Sequence, residues 1–494
     1  MNQIRSQSGR SPGPTGAGRR IYDLLRAQIA DGTLSQGGRM PSTRALAIEL
    51  GVSRTTITAA YEQLVAEGFL VTSMGRAARV AAPLAASAPP TSHNTSRNRP
   101  PPLLSEFGRC VAGLTLPGLP PVEPVAIDFR YGAVASRDFP SLAWRRAYQA
   151  EMLHQPRSIC YIAPEGDDAL RRAVQGYLAR ARGLSCDAGQ VVVVHGSQQA
   201  IDLCARLLLG PEDTFVFEDP GYLMARRCFE ATGARLLATP VDEHGLNTAH
   251  LPTDSRVRLA YVTPSHQFPL GGVLPVGRRM ELLQWAQRRQ AWIVEDDYDG
   301  EFRYGQRPID ALRSIDVDDR VIYIGTFSKT LSPQLRLGYL VLPADLVSVF
   351  RQTKQLADRH APVLDQRVLA SLIDSGVYER HVRRVRRENE QRRAVLLDAV
   401  ARHLGANACI TGTAAGLHAV LWLLGLRSED EPALVAACRG EDVGVYPVSP
   451  LFAKPSSGPG TRPAGMIMGY AGLTQQEIER GIRILAAVVG RWHS

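Results

Sequence analysis

Lysine is scarce in this chain: of 494 residues only Lys329, Lys354 and Lys454 are lysine, so nearly all the positive charge is arginine. A GC-rich coding bias accounts for that balance, but it leaves any chemistry that needs a primary amine with three candidates. Cysteine is thin as well, with 7 scattered residues and no Cys-x-x-Cys pair. That pattern excludes a disulfide framework and thiolate metal spacing, and it points to a reducing, cytoplasmic setting. No apolar run reaches the length needed to cross a bilayer. The polar, Arg-rich start is not followed by a hydrophobic stretch, so no secretory signal and no membrane partner are expected. What remains is an ordinary globular composition, 45% hydrophobic, with enough chain for two folded units.

The formal charge of +9 and pI near 9.3 suggest an acidic partner only where the charge is localised. Residues 1–80 hold ten Arg, no Lys and five acids, about half of the excess. Within them Pro41-Ser-Thr-Arg-Ala-Leu-Ala-Ile-Glu-Leu-Gly51 is followed by a second short helical pattern starting at Ser53. Leu46 and Leu50 share one face, Gly51 can take the left-handed conformation that ends a helix, and Ser53 can cap the next. Ile57, Tyr61 and Leu64 then face inward. Arg54, Thr55, Thr56 and Thr58 lie near the exposed start, where a recognition helix meets base edges. A preceding helix over 20–29 and a hairpin wing turning at Gly75 complete a winged helix-turn-helix over 1–82, with a core at about 17–82. Arg44, Arg54, Arg76 and Arg79 are candidates for phosphate or minor-groove contacts on double-stranded DNA. Residues 83–125 are rich in Pro, Ala and Ser and read as an extended linker, with an apolar patch at Leu103, Leu104 and Phe107.

The third region, 126–494, carries strand-end chemistry. The apolar run Val321-Ile-Tyr-Ile-Gly-Thr-Phe leads into Ser328, Lys329 and, one loop later, Arg336. A lysine at the end of a buried strand is partly desolvated, which lowers its pKa and frees the neutral amine to attack an aldehyde. Thr326, Ser328 and Arg336 offer hydroxyls and a cation to a phosphate. This is where a Schiff base with pyridoxal 5'-phosphate (PLP) is expected. One βα unit upstream, Ala291-Trp-Ile-Val runs into Glu295-Asp-Asp-Tyr-Asp-Gly-Glu. One acid there can face a pyridine nitrogen and keep it protonated. Asp296 is the choice, with Tyr298 on the opposite face of the strand end or reaching the cofactor's phenolic oxygen. The Val191–Val194 run followed by Gly196-Ser-Gln-Gln and an amphipathic helix reads as a parallel strand entering a helix. The N-terminus of that helix can hold an anion, with Ser197 and Gln198 adding side-chain donors. Gly-Ser before a helix is also an ordinary cap.

From Ile127 onward the chain resembles a fold-type I aminotransferase, and with its first eighty residues it resembles a MocR-type regulator: a GntR-type winged helix fused to an aminotransferase-like domain. The ordered motifs carry this likeness. Tyr161-Ile-Ala-Pro-Glu-Gly166 matches the segment that reaches a neighbouring subunit's phosphate. Gly196-Ser-Gln-Gln-Ala200 matches the phosphate-binding turn, and Glu218-Asp-Pro-Gly-Tyr222 the loop that stacks an aromatic ring on the cofactor. Thr263-Pro-Ser-His266-Gln-Phe-Pro269 matches the loop beside the ring oxygen. The resemblance implies a large α/β domain with a mixed, mostly parallel sheet, a smaller α+β subdomain, and a homodimer. It implies a DNA-binding transcriptional regulator that holds PLP on Lys329 and senses PLP itself or an amine or amino acid. The alternative is a working aminotransferase with an accessory DNA-binding domain.

Two departures bear on that choice. The family's enzymes place an arginine for the substrate carboxylate a few residues before the glycine matching Gly469; this chain has Ala464, with Arg462 the nearest arginine. Leu270 replaces a threonine common after Pro269. Past Leu340 the chain reads as mainly helical, with Arg380–Arg393 a basic run whose inner edge is Val382 and Val385 and whose other faces are expected to be solvated. Residues 412–424 and 465–469 read as strands of the subdomain.

Overall fold

The computed structural model describes residues 16–73, 76–81, 103–116, 124–154, 160–253, 256–453 and 462–492, and the chain forms two compact units divided between Pro102 and Leu103. In the first unit, α1 (Ala17–Ala30), α2 (Thr43–Leu50) and α3 (Arg54–Ala66) precede a hairpin of β1 (Leu70–Val71) and β2 (Arg79–Val80), paired antiparallel. Gly51 and Ser53 end and begin their helices where the sequence places them, and Ser42 adds a cap that was not expected. Ser42 Oγ accepts from the Ala45 amide at 3.1 Å, Gly51 turns the chain at φ 62, and Ser53 Oγ accepts from the Thr56 amide at 3.2 Å. Ile21, Leu25, Leu46, Ile57, Leu64, Leu70 and Val80 close one core. Gly75, the expected tip of the wing, lies outside the described residues, as do residues 83–102 and 117–123 of the linker.

The stretch read as linker is not wholly extended. A short α4 (Glu106–Gly113), part of the second unit, forms where Ser105 caps the Gly108 amide, and Phe107 lies under the Arg206 guanidinium. Local capping gives this segment a helix that proline density in its neighbours conceals.

The second unit is built on an eight-stranded sheet. Its strands are β4 (Val191–Val194), β5 (Thr214–Asp219), β6 (Arg235–Asp242), β7 (Gly245–Leu246), β8 (Val257–Val262), β9 (Trp292–Asp297), β10 (Val321–Thr326) and β11 (Gly338–Val341). They run in the order β4-β11-β10-β9-β8-β5-β6-β7. The pairs from β10 to β6 are parallel, while β11 and β7 are antiparallel to their neighbours. Val191 and Val193 enter one core and Val192 and Val194 the other. Cover on both faces is why this strand is an unbroken apolar run rather than an alternating one.

The smaller subdomain is a sheet ordered β12 (Ala408–Thr411), β13 (His418–Arg427), β16 (Pro463–Gly469), β15 (Tyr446–Pro447). The short strands β3 (Ile127–Asp128) and β14 (Val443–Gly444) pair in parallel beside it. The strand expected from Gly412 begins instead at His418, because Gly412 turns the chain at φ 73. The basic run lies on the helix Val377–His403, with Val382 and Val385 buried as expected. Not all its arginines are solvated. Arg392 is 4% exposed and pairs with Asp138 at 2.7 Å, and Arg393 donates to the Thr413 carbonyl at 2.6 Å. A run of one charge conceals such members because their acceptors come from distant segments.

Candidate active site and DNA-binding face

The carboxyl ends of β4, β5, β8, β9 and β10 converge on a cavity of about 500 Å³, the place where ligands bind in open parallel sheets. Side-chain alternation along β9 assigns its three consecutive acids. Glu295 accepts from the Leu312 and Arg313 amides at 2.7 and 2.9 Å. Asp297 pairs with buried Arg182 at 2.6 Å and accepts from Tyr323 Oη at 2.5 Å. Asp296, between them, lines the cavity: Tyr261 Oη donates to its Oδ2 at 2.5 Å, and its buried Oδ1 has no partner among the described residues. Burial pushes the Asp296 carboxyl up to about 7, with Asp297 and Asp299 adding to the rise against the Tyr261 hydrogen bond.

Lys329 follows β10 into the same cavity, half-buried, and its Nζ donates to the Gly132 carbonyl at 3.1 Å. Burial lowers the amine below the usual lysine range, against the pull of Asp299 and Asp296. Among the other lysines, Lys354 is buried in an ion pair with Asp358 at 2.8 Å away from the cavity. Lys454 lies outside the described residues.

Opposite the acids is an anion cradle. Ser197 and Gln198 open the helix Ser197–Leu208 after Gly196, whose φ of 73 and lack of Cβ admit the Arg336 guanidinium; a Cβ there would stand 3.0 Å from Nη1. Arg336 Nη2 donates to the His195 carbonyl at 2.7 Å, which fixes the fork. Thr326 Oγ1 donates to Ser328 Oγ at 3.0 Å and accepts the Ser328 amide at 3.1 Å. Ser197, Gln198, Thr326, Ser328 and Arg336 line the cavity with Tyr222, whose ring meets Phe268 edge-on at 5.8 Å.

One expected residue sits elsewhere. His266 does not line the cavity. It stands behind the wall, where its Nδ1 lies 2.9 Å from both Asp299 Oδ2 and Tyr298 Oη, so it orients those two lining residues. Tyr161 is 71% exposed, with the Arg359 guanidinium 4.5 Å from its ring centre, outside the cavity of its own chain. Sequence reasoning missed Tyr261, Asp299, His418 and the segment Arg130–Ala133, which all line the cavity. His418 donates to the Pro269 carbonyl at 3.1 Å, and burial holds its ring at about 4, neutral near pH 7. Asp299 was present in the acidic run, but nothing in its spacing distinguished it.

In the N-terminal unit, Arg44, Arg54, Thr55, Arg76 and Arg79 are exposed, and Thr56 and Thr58 half so. Ser53 Oγ also contacts the Thr55 and Thr56 hydroxyls at 2.7 Å each, and Thr58 Oγ1 donates to the Arg54 carbonyl at 3.0 Å. Arg79 Nη1 donates to the Gly37 carbonyl at 2.7 Å, fastening the wing while leaving the side chain exposed.

A winged-helix module joined to a fold-type I aminotransferase-like domain, with a lysine, a buried acid and an anion cradle at its strand ends, defines a regulator-type fusion. Residues 17–80 match the bacterial regulatory proteins of the gntR family, and residues 131–485 match aminotransferase class I and II. The chain is 35% identical to the uncharacterized HTH-type transcriptional regulator YhdI of Bacillus subtilis, covering 94% of each chain. It is 35% identical to the probable rhizopine catabolism regulatory protein MocR of Rhizobium meliloti, covering 94% of this chain and 92% of that one. Among solved structures, LysN, an α-aminoadipate aminotransferase of Thermus thermophilus complexed with N-(5'-phosphopyridoxyl)-L-leucine, superposes with a TM-score of 0.66 at 30% identity. That match covers 74% of this chain and 92% of that one. The chain belongs to the MocR-type family of HTH transcriptional regulators.

Proposed function

We propose that the protein holds PLP in the cavity on Lys329, binds operator DNA through α3 and the wing, and adjusts its hold on DNA to what the cavity contains. Asp296 carries this reading. A buried carboxylate with one oxygen unpaired is costly to keep, and a protonated pyridine nitrogen is the partner that would satisfy Oδ1 and hold the acid ionised. The donor set fits the rest of such a molecule. Ser197, Gln198, Thr326, Ser328 and Arg336 would take the phosphate, Tyr222 would stack on the ring, and Tyr298 would reach its phenolic oxygen with His266 behind it. Tyr161 would reach the phosphate of a partner subunit in a homodimer. When bound, PLP supplies an aldehyde and an electron-withdrawing ring. The lowered pKa of Lys329 keeps more of its amine neutral and nucleophilic near pH 7.

Ser53, Arg54, Thr55, Thr56 and Thr58 at the start of α3 would meet the major groove, with Arg44, Arg76 and Arg79 on phosphates or the minor groove. A cytoplasmic setting suits both partners. Ala464 in place of a carboxylate-binding arginine favours sensing over turnover.

Borohydride reduction of the PLP-loaded chain followed by peptide mapping is expected to label Lys329; a label on Lys354 or Lys454 instead, or none, rejects the site. An operator titration with and without PLP is expected to show different affinities, and identical curves reject the coupling. Steady turnover with an amino donor and a 2-oxo acid would assign an enzyme instead.

A further inference from the structure

The side of the cavity away from the phosphate cradle is closed by the small subdomain, and its sheet offers no cation there. Ala464, Met466 and Met468 of β16 face the subdomain's own core, and Ile467 faces the cavity side with Val420, Trp422 and Phe268. Gly465 lies beneath Trp422, whose ring would stand 2.6 Å from a Cβ. Arg462, at the start of this strand, sets its guanidinium over the Phe452 ring and does not line the cavity. A ligand's acid group therefore has no arginine to meet on β16.

A different arginine is present. Besides Lys329 and Arg336, the one cation lining the cavity among the described residues is Arg130. It precedes Gly132, whose carbonyl receives Lys329 Nζ, by two residues on a segment that the small subdomain anchors. The Gly469 amide donates to the Phe129 carbonyl at 2.9 Å, and the Ala135 amide to the Ala471 carbonyl at 3.1 Å. The guanidinium is oriented from one edge. Nε donates to Tyr446 Oη at 3.0 Å, Nη2 lies 3.3 Å from Asp128 Oδ2, and Tyr446 Oη donates to Asp128 Oδ1 at 2.7 Å. Nη1 has no partner among the described residues, and a guanidinium held on one edge can still take an oxyanion with its remaining N–H groups.

We infer that Arg130 is the acid-binding residue of this site, so that the effector is an amine bearing a carboxylate or sulfonate, held between Arg130 and the Lys329 end of the cavity. The inference rests on the PLP reading above and narrows its ligand: PLP alone would give Arg130 no second anion to bind.

The test uses the full chain loaded with PLP, followed by its visible absorbance during titration with L-norvaline, δ-aminovalerate or δ-aminobutanesulfonate. Each becomes butylamine when its acid group is removed, so butylamine is the shared control. At least one acid is expected to bind roughly tenfold or more tighter than butylamine, as a charge-assisted hydrogen-bond pair allows. In Arg130→Gln that preference is expected to fall to near unity while butylamine and PLP binding stay as in the wild type. A wild type without any preference, or an R130Q that keeps it, overturns the inference. Should R130Q not fold, Arg130→Lys is read instead. It keeps the charge and loses the fork, so the preference is expected to drop severalfold, and an unchanged preference overturns the assignment. A protein with no absorbance band after PLP loading fails the underlying reading, whereas a band without acid preference defeats Arg130 alone.

Discussion

The two units use charge in opposite ways. On α3 and the wing the arginines are exposed, where water and salt screen each to a small, long-range effect. At the end of β9 the carboxylates are buried and their hydrogen bonds directional, so one unpaired oxygen on Asp296 matters more than several solvated cations. Burial, more than the number of charges, decides what each region can do. Exposed cations can attract any acidic polymer, while a cavity lined by buried polar groups can discriminate among molecules by the placement of single atoms.

That contrast can be broken most severely at Asp296. Its carboxyl titrates near 7 in the folded chain against an ordinary 3.8, so the folded state keeps a proton that the unfolded chain has lost. Stability from this group is complete at low pH and falls as pH rises from about 4 through 7. In PLP-free protein, Asp296→Asn is expected to remove this loss, gaining on the order of 2–4 kcal/mol relative to wild type between pH 5 and pH 8. Urea melts at the two pH values measure it, and parallel pH dependences would show that the acid is not strained by burial. Glu218, Glu295 and Glu301 are each raised to about 7 by burial, so a residual decline should persist in the variant.

A middle-sized effect is expected at Arg336, in the cavity but fastened to one carbonyl. Arg336→Ala should weaken PLP retention roughly ten- to a hundredfold, the range for losing a hydrogen bond to a charged group, while borohydride still labels Lys329. Equilibrium dialysis reads it, and unaltered retention would move the phosphate elsewhere. The smallest effects belong to the exposed face. Ser53→Ala should cost about 1 kcal/mol of N-terminal-unit stability through the lost cap. Arg54→Ala should lower the slope of log affinity against log salt by about 1 if it meets a phosphate. An unchanged slope would place Arg54 on a base edge or off the DNA.

Those exposed positions were also the easiest to read from sequence, because caps and helical faces are local. Gly51 and Ser53 act on backbone within three or four residues, and hydrophobic spacing alone turns Ile57 and Leu64 inward. The strand ends were legible for a related reason: each of Lys329, Asp296 and Ser197 follows an apolar run that could only be a covered strand. What stayed hidden depends on pairing across the chain. Gly132 stands 197 residues from the Lys329 whose amine it receives, Arg130 lines the same cavity from beside it, and no periodicity links them. His266 could be placed beside the site but not behind its wall, because a loop motif fixes neighbourhood and leaves side-chain direction open. The helix in the linker and the buried Arg392 were masked by composition, which averages over the few residues that decide local structure.

The parity of β9 has a consequence for genetics. Glu295 and Asp297 hold up the scaffold from the far side of the strand, and Asp296 alone presents its carboxylate to the cavity. A substitution scan through this strand would therefore score three neighbouring acids as indispensable. Separating the outer pair's collapse of the protein from the middle one's loss of ligand would take a measurement of folded population beside every loss of response.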